Sequence, residues 1–240
     1  MEIAEALKSV REKINNSAVK AGRDSDNIKL IAVTKTVTIE RIIEAVKAGV
    51  SILGENRVQE AREKKVRSYE LGVRSEKIEW HLIGPLQTNK AKVAVQLFDL
   101  IHSVDSIKLA EELDKQAGRI GEKQRILVEV KLSEEETKHG VADKDLMELL
   151  AKISDMKNLK LEGLMTIPPF FEDPEKTRPY FKRLRELRDN INELRACLSG
   201  RQVTRYALRD LSMGMSNDFE VAIEEGATMV RIGTAIFGGR

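Results

Sequence analysis

The chain has 240 residues, and its 41 lysines and arginines nearly balance 39 aspartates and glutamates, which leaves a formal net charge of +2. Hydrophobic residues make up 41% and charged residues 33%, a composition that predicts a packed core, excludes a disordered chain and disfavours nucleic-acid binding. The single cysteine, Cys197, excludes an internal disulfide, and no run of 18 apolar residues is present to span a membrane, so we expect a cytoplasmic protein.

Short apolar runs alternate with helical periods along the chain. Ile3, Leu7, Val10 and Ile14 are spaced to lie on one face of an N-terminal helix. The apolar runs predict eight strands, at 30–33, 50–53, 80–83, 100–104, 126–130, 161–165, 206–213 and 229–232. A helical period follows each of the first seven strands, at 39–46, 58–66, 91–98, 106–118, 146–153, 181–194 and 217–224. The chain is therefore predicted to alternate strand and helix throughout.

This alternation decides the fold class. Short apolar strands separated by helices are typical of a parallel sheet buried on both faces, and eight such strands can close into a barrel. An open doubly wound sheet would carry a glycine-rich phosphate turn after its first strand. Here residues 34–37 follow that strand without a glycine, and the glycine-rich turn lies near the other end of the chain. We predict an α/β fold, a single (β/α)8 TIM barrel with an extra N-terminal helix, in which residues 1–240 form one domain.

The functional site of such a barrel lies at the carboxyl ends of its strands. Lys35 follows the first strand, so the fold directs it towards the mouth of the barrel. Desolvation there favours a neutral amine, which can attack an aldehyde and form a Schiff base. The alternative is a lysine at the end of a strand whose ammonium group simply reaches solvent.

A second signal is the turn after the seventh strand. Gly214 allows a close approach of the backbone, and Ser216 or Asn217 can cap the helix that follows. Free backbone N–H groups at the start of that helix would attract an anion such as a phosphate. The alternative is an ordinary helix cap with no ligand.

A third signal follows the eighth strand. Gly233 and Thr234 can add backbone and hydroxyl donors to the same phosphate. Arg231 lies two residues earlier, on the same strand face as Gly233. A buried arginine needs a partner, which would be either a ligand or a carboxylate such as Glu129 or Glu162.

One ligand accounts for these three signals together. It would carry an aldehyde for Lys35, a phosphate for the two turns and a ring nitrogen for Arg231, as pyridoxal 5'-phosphate does. A fixed positive charge beside the ring nitrogen disfavours its protonation, because two adjacent cations repel. The cofactor would then be a weak electron sink.

The sequence resembles the pyridoxal phosphate homeostasis protein family, which shares its barrel with bacterial alanine racemase. The matching segments are AVTKT at 32–36, GENRVQE at 54–60, WHLIGPLQTNK at 80–90, GLMTI at 163–167, LSMGMSNDF at 211–219 and VRIGTAIFG at 230–238. The resemblance implies Lys35 as the cofactor lysine and Arg231 as the partner of the ring nitrogen. It also implies a phosphate site, formed by Ser216, Gly233 and Thr234.

Two further residues lie in these segments. The resemblance implies that Asn56 contacts either the edge of the cofactor or a neighbouring loop. His81 lies in the most distinctive segment, but its position in a strand predicts a core or supporting role rather than a catalytic one.

Three functions remain open at this point: a non-enzymatic carrier of pyridoxal phosphate, an amino-acid racemase that uses this cofactor, and a phosphosugar enzyme. Two-base racemisation needs acid/base groups on opposite faces of the substrate carbon, and related racemases supply the second as a tyrosine from an added β domain. Here the chain ends six residues after Thr234, and Tyr69, Tyr180 and Tyr206 are poorly placed for that role. We therefore expect a carrier, a monomer or weak homodimer that buffers pyridoxal phosphate or delivers it to apo-enzymes.

Overall fold

A computed structural model describes residues 2–71, 78–133, 135, 139–197 and 204–239. The strands are β1 Lys29–Val33, β2 Ile52–Glu55, β3 Glu79–Leu82, β4 Leu100–Val104, β5 Gln124–Lys131, β6 Val141–Ala142, β7 Leu159–Met165, β8 Asp210–Met215 and β9 Met229–Ile232. The helices are α1 Ile3–Lys20, α2 Ile39–Lys47, α3 Val58–Glu70, α4 Ala91–Leu97, α5 Ile107–Ile120, α6 Asp143–Asp155, α7 Arg178–Cys197, α8 Phe219–Glu224 and α9 Thr234–Phe237. Strand and helix alternate along most of the chain, as predicted.

The strands close into a parallel barrel. They pair in the order β4, β3, β2, β1, β9, β8, β7 and β5, and a further pairing of β4 with β5 completes the ring. The two-residue strand β6 pairs with β5 outside this ring, and the sequence patterns did not predict it. The predicted (β/α)8 barrel is confirmed.

Strand β8 begins at Asp210, four residues later than the sequence pattern predicts. The reason is a side chain from α7. Asn192 donates to the carbonyl of Leu208 and accepts from its N–H group, both at 2.9 Å. Since the backbone of Leu208 is satisfied by this amide, it does not pair with a neighbouring strand.

The two faces of the barrel strands have different surroundings. On the outer face, side chains such as Ala32 and Leu53 belong to the core shared with the helices. On the inner face, a separate apolar cluster includes Ile31 and Met229. Gly54 also faces inward, where a Cβ atom would come within 2.8 Å of Ile31 Cγ2, so only glycine fits without a shift.

The extra N-terminal helix is confirmed, and it packs against α2, α8 and α9. Its buried stripe contains Ile3, Leu7 and Val10, and each such side chain contributes roughly 1.5–3 kcal/mol when fully buried. At its last turn, Lys20 forms a 2.6 Å ion pair with Glu224 on α8. No helix in the part of the chain described above is long and apolar enough to cross a membrane.

Candidate ligand-binding site

The turn after β8 and the turn after β9 meet at one serine. Ser216 Oγ accepts hydrogen bonds from the N–H groups of Gly233, at 3.2 Å, and Ala235, at 3.3 Å. With its lone pairs used in this way, the hydroxyl keeps its own proton for another acceptor. Thr234 lies between the two bonded residues and is exposed, so its hydroxyl is accessible as well. This donor set suits an anion.

The predicted capping of α8 by Ser216 or Asn217 is wrong. The Ser216 hydroxyl is used by the β9–α9 turn, and the Asn217 amide donates to the carbonyl of Phe171 at 3.0 Å. The residue before α8 is Asp218, whose carboxylate accepts from the N–H of Met215 at 2.7 Å. The turn thus folds back on itself, which frees Ser216 to reach the next turn.

Gly214 is required by the close approach of β8 to α8. Its φ of +90° lies in the left-handed region that side chains disfavour. A Cβ atom there would come within 2.6 Å of Ala222 Cβ and 2.9 Å of Phe219 Cα. The expected close backbone approach at Gly214 is therefore observed.

Arg231 lies inside the barrel and is only 3% exposed. Its guanidinium donates to Ser212 Oγ at 2.6 Å and to the carbonyl of Thr166 at 2.9 Å. Burial lowers the pKa of Arg231 to about 10, although the charges of Glu129 and Asp218 oppose the shift. The guanidinium therefore remains charged at neutral pH.

The two carboxylates considered as partners of Arg231 differ in their contacts. Glu162 accepts from Arg125 at 3.1 Å and from Lys160 at 2.8 Å, so its assignment to Arg231 is wrong. Glu129 is buried, 4% exposed, and interacts with the charge of Arg231. Burial raises the pKa of Glu129 to about 7, against the opposing effect of Arg231. The closest partners of the guanidinium are thus neutral groups from β8 and the end of β7.

Lys35 lies in the turn after β1 and is half-buried. The residues on both sides of it are held by α3. The carbonyl of Thr34 accepts from Lys64 Nζ at 2.5 Å, and the N–H of Thr36 donates to Glu60 Oε1 at 2.6 Å. Thr36 adopts a φ of +59°, a costly conformation for a β-branched residue. These contacts fix the backbone that presents Lys35.

A buried ion cluster anchors that turn. Lys64 Nζ lies 2.8 Å from Glu55 Oε1 and 2.6 Å from Glu60 Oε1, and Thr34 Oγ1 donates to Glu55 Oε1 at 2.6 Å. Burial raises the pKa of Glu55, while its bond to Lys64 opposes the shift. Its second oxygen, Oε2, is buried without a hydrogen-bond partner. The sequence reasoning missed this cluster, although the spacing of Glu60 and Lys64 on α3 is a signal for an ion pair.

Asn56 follows β2 and is half-buried. Its backbone abuts the end of β3, where a Cβ atom on Gly84 would come within 2.5 Å of the Asn56 carbonyl oxygen. Because β2, β1, β9 and β8 are adjacent in the barrel, five of the six predicted site residues follow contiguous strands at one end of the sheet, and Arg231 is the penultimate residue of β9. Ser216 and Gly233 are in direct contact, whereas the turn that carries Lys35 is held by α3 and the Asn56 backbone lies against Gly84.

Comparisons with known proteins cover almost the whole chain. A family model, the alanine racemase N-terminal domain, matches residues 6–240. A pyridoxal phosphate homeostasis protein of Aquifex aeolicus is 46% identical over 240 residues, which is 100% of this chain and 99% of that protein. The protein of the same name from Escherichia coli (strain K12) is 40% identical, over 100% of this chain and 97% of its own.

Solved structures give the same picture. PipY of Synechococcus elongatus PCC7942, solved with pyridoxal phosphate bound, superimposes with a TM-score of 0.82 at 38% identity, covering 98% of this chain and 100% of that one. An alanine racemase of Clostridium difficile 630 superimposes with a TM-score of 0.68 at 17% identity, and the match covers 57% of that chain. This more distant likeness shows a shared fold.

The fold is a (β/α)8 barrel, a class that commonly binds phosphorylated ligands where its last two strands end. The full-length matches narrow that class. This chain belongs to the alanine racemase N-terminal domain family and, within it, to the pyridoxal phosphate homeostasis proteins. The resemblance indicated by the sequence motifs is thereby confirmed.

Proposed function

We propose that this chain binds pyridoxal phosphate and serves its homeostasis, holding the cofactor through Lys35 and buffering or delivering it without robust catalysis. The observation that carries the proposal is PipY, which was solved with pyridoxal phosphate bound and is 38% identical over 98% of this chain. We assign the function to one barrel domain spanning residues 1–240. We also infer a cytoplasmic location.

The amine and the hydroxyl donors bind different groups of the cofactor. When bound, the cofactor supplies an aldehyde that condenses with an amine, together with a phosphate and a ring nitrogen. Lys35 supplies the amine from a turn that Lys64 and Glu60 already hold in place. Ser216 and Thr234 donate from their hydroxyls to the phosphate, and charge-assisted donors of this kind are the strong ones.

The other three predicted residues complete the site. Gly233 keeps the backbone of the second turn against Ser216, with an N···Oγ distance of 3.2 Å. A guanidinium has five N–H donors. Arg231 donates from two of its nitrogens to Ser212 and to Thr166, so further N–H groups remain for the ring nitrogen. Asn56, at the end of β2, contacts the edge of the cofactor.

Two of the three tyrosines, Tyr206 and Tyr69, lie where they do not support the racemase alternative. The hydroxyl of Tyr206 donates to the carbonyl of Leu159, the first residue of β7, at 2.6 Å, so it lies at the opposite end of the barrel. Tyr69 lies on α3 and is 74% exposed. A charged Arg231 also disfavours protonation of the ring nitrogen, which weakens carbanion chemistry. Both points favour a carrier.

We further infer that apo-enzymes that use pyridoxal phosphate receive it from this protein, which acts as a monomer or weak homodimer. In the test, the loaded protein is incubated with an apo-aminotransferase while regained activity is followed, and amino acids are analysed in parallel by chiral chromatography. We expect regained activity and no robust turnover. A turnover number of about 1–10³ s⁻¹ for any amino acid would restore the racemase alternative. No uptake of the cofactor at all would favour the phosphosugar enzyme.

The phosphate site has its own prediction. The double variant Ser216→Ala/Thr234→Val lacks two hydroxyl donors. A hydrogen bond from each to a charged acceptor contributes roughly 1.5–3 kcal/mol to the binding free energy. The preference for pyridoxal phosphate over pyridoxal should therefore fall by about 100-fold or more. The dissociation constants of both compounds are measured for the wild type and the variant.

A matched control for this pair is Ser106→Ala. Ser106 follows β4 at the same end of the barrel, where its hydroxyl accepts from the N–H of Leu109. This control variant should keep the preference of the wild type. If the double variant still favours the phosphorylated compound as strongly as the wild type does, the anion site lies elsewhere.

A further inference from the structure

A continuous chain of hydrogen bonds runs through the interior of the barrel to Arg231. The Arg231 guanidinium donates to Ser212 Oγ at 2.6 Å, and Ser212 Oγ lies 2.9 Å from His102 Nδ1. His102 Nε2 lies 3.0 Å from His81 Nδ1, and His81 Nε2 lies 3.1 Å from the carboxylate of Glu79. The five residues come from strands β9, β8, β4 and β3.

The two end residues of this hydrogen-bond chain fix which atom donates and which accepts in each of its bonds. A guanidinium only donates, and an ionised carboxylate only accepts. The bond from His81, with the contribution of Arg125, lowers the pKa of Glu79 to about 2, so Glu79 is ionised at neutral pH. Burial lowers the pKa of both histidines, which are therefore neutral. Each imidazole must then donate from Nε2 and accept at Nδ1, and Ser212 must donate to His102.

The hydrogen-bond chain also connects opposite ends of the barrel. Glu79 is the first residue of β3, is half-exposed and pairs with Arg125 at 3.0 Å. Arg231 lies one residue before the end of β9, at the end of the barrel that carries the candidate site. Between them, His81 and His102 are completely buried. Hydrogen bonds aligned in one direction polarise one another, so the carboxylate acts on the guanidinium through the chain.

We propose that Ser212, His102 and His81 are positioning residues that hold Arg231 for its ligand and couple it to Glu79 at the other end of the barrel. The proposal rests on the proposed function, because the ligand of Arg231 is taken to be the ring nitrogen of pyridoxal phosphate. Ser212 fixes where the guanidinium lies by accepting from it. The histidines fix the orientation of the Ser212 hydroxyl, and Glu79 fixes the tautomer of both.

The first test needs no cofactor. The protein is labelled with 15N-histidine, and the tautomer of each ring is determined at neutral pH by NMR from the two nitrogen shifts. We expect His81 and His102 both to carry the proton on Nε2. A proton on Nδ1 of either ring would overturn the proposal, since the chain could not then run from Arg231 to Glu79. The variant Glu79→Gln should change the shifts of both histidines, and an effect confined to His81 would contradict the coupling.

The second test uses pyridoxal phosphate as the probe. Ser212→Ala removes the acceptor of Arg231, and Glu79→Gln removes the charge at the far end. We expect the affinity for pyridoxal phosphate to fall by about tenfold in Ser212→Ala and the visible spectrum of the bound cofactor to shift in both variants. Glu79→Gln keeps the test decisive if Ser212→Ala does not fold, because Glu79 is half-exposed.

The matched control is Ser154→Ala. Ser154 is also buried and hydrogen-bonded, to Leu150 and Thr204, but it lies on α6 outside the barrel. An equal spectral shift in this control would overturn the proposal. So would the absence of a shift in both Ser212→Ala and Glu79→Gln. If the wild type takes up no pyridoxal phosphate, the proposed function fails, whereas the histidine tautomers still decide whether the chain exists.

Discussion

Replacing Lys35 with alanine will abolish covalent capture of pyridoxal phosphate while leaving the barrel folded. The turn that carries Lys35 is held by backbone contacts of its neighbours, from Thr34 to Lys64 and from Thr36 to Glu60. Loss of the Lys35 side chain leaves these contacts in place. The amine, by contrast, has no substitute if it forms the bond to the cofactor.

The measurement is borohydride reduction of the loaded protein followed by peptide mapping. In the wild type, the label should appear on Lys35, and in Lys35→Ala it should be lost while the melting temperature stays within a few degrees. Lys131→Ala is the matched control, because Lys131 ends β5 at the same end of the barrel. A label on Lys90 or Lys131, with Lys35 unmodified, would show that the assignment is wrong.

The second large effect concerns Glu129 and pH. Burial raises the pKa of Glu129 to about 7 in the folded protein, whereas a glutamate in an unfolded chain titrates near 4.3. The folded state therefore keeps a proton that the unfolded state releases between these values. Stability contributed by the neutral form is present at low pH and is lost as pH rises towards 7. At pH 8 the folded protein must hold a buried, ionised carboxylate.

The variant Glu129→Gln cannot ionise, so it escapes this loss. A difference of roughly 2.5 pKa units corresponds to about 3 kcal/mol. The free energy of unfolding of Glu129→Gln, minus that of the wild type, should therefore be about 3 kcal/mol larger at pH 8 than at pH 4. Urea unfolding of both proteins at the two pH values measures it, and the comparison at pH 4 cancels any change in packing. Equal differences at both pH values would refute the shifted pKa.

The period of the apolar residues predicted the barrel well, because a strand buried on both faces must be apolar whatever it packs against. The details that it missed depend on side chains distant in sequence. The start of β8 depends on Asn192, which occupies the backbone groups of Leu208. No local pattern around Leu208 contains that information.

The places of the candidate site residues in the barrel were predictable, but their contacts were not. Lys35, Ser216 and Gly233 follow strand ends, and the barrel geometry alone selects such positions. The hydrogen bonds of Ser216 and Arg231 cross between strands, so they depend on register and side-chain length rather than on local sequence. The pairing of His81 with His102, 21 residues away, is of the same kind.

The ion cluster beneath Lys35 affects how a ligand binds and is released. Ordering the backbone costs about 1–2 kcal/mol per residue, and in the 34–36 turn that cost is met when the protein folds rather than when a ligand arrives. In the proposed site, binding at this turn then orders only the Lys35 side chain, and release of the ligand does not require the turn to unfold. If Lys35 holds the ligand as proposed, the bond between them is broken by exchange with a competing amine rather than by a motion of this turn.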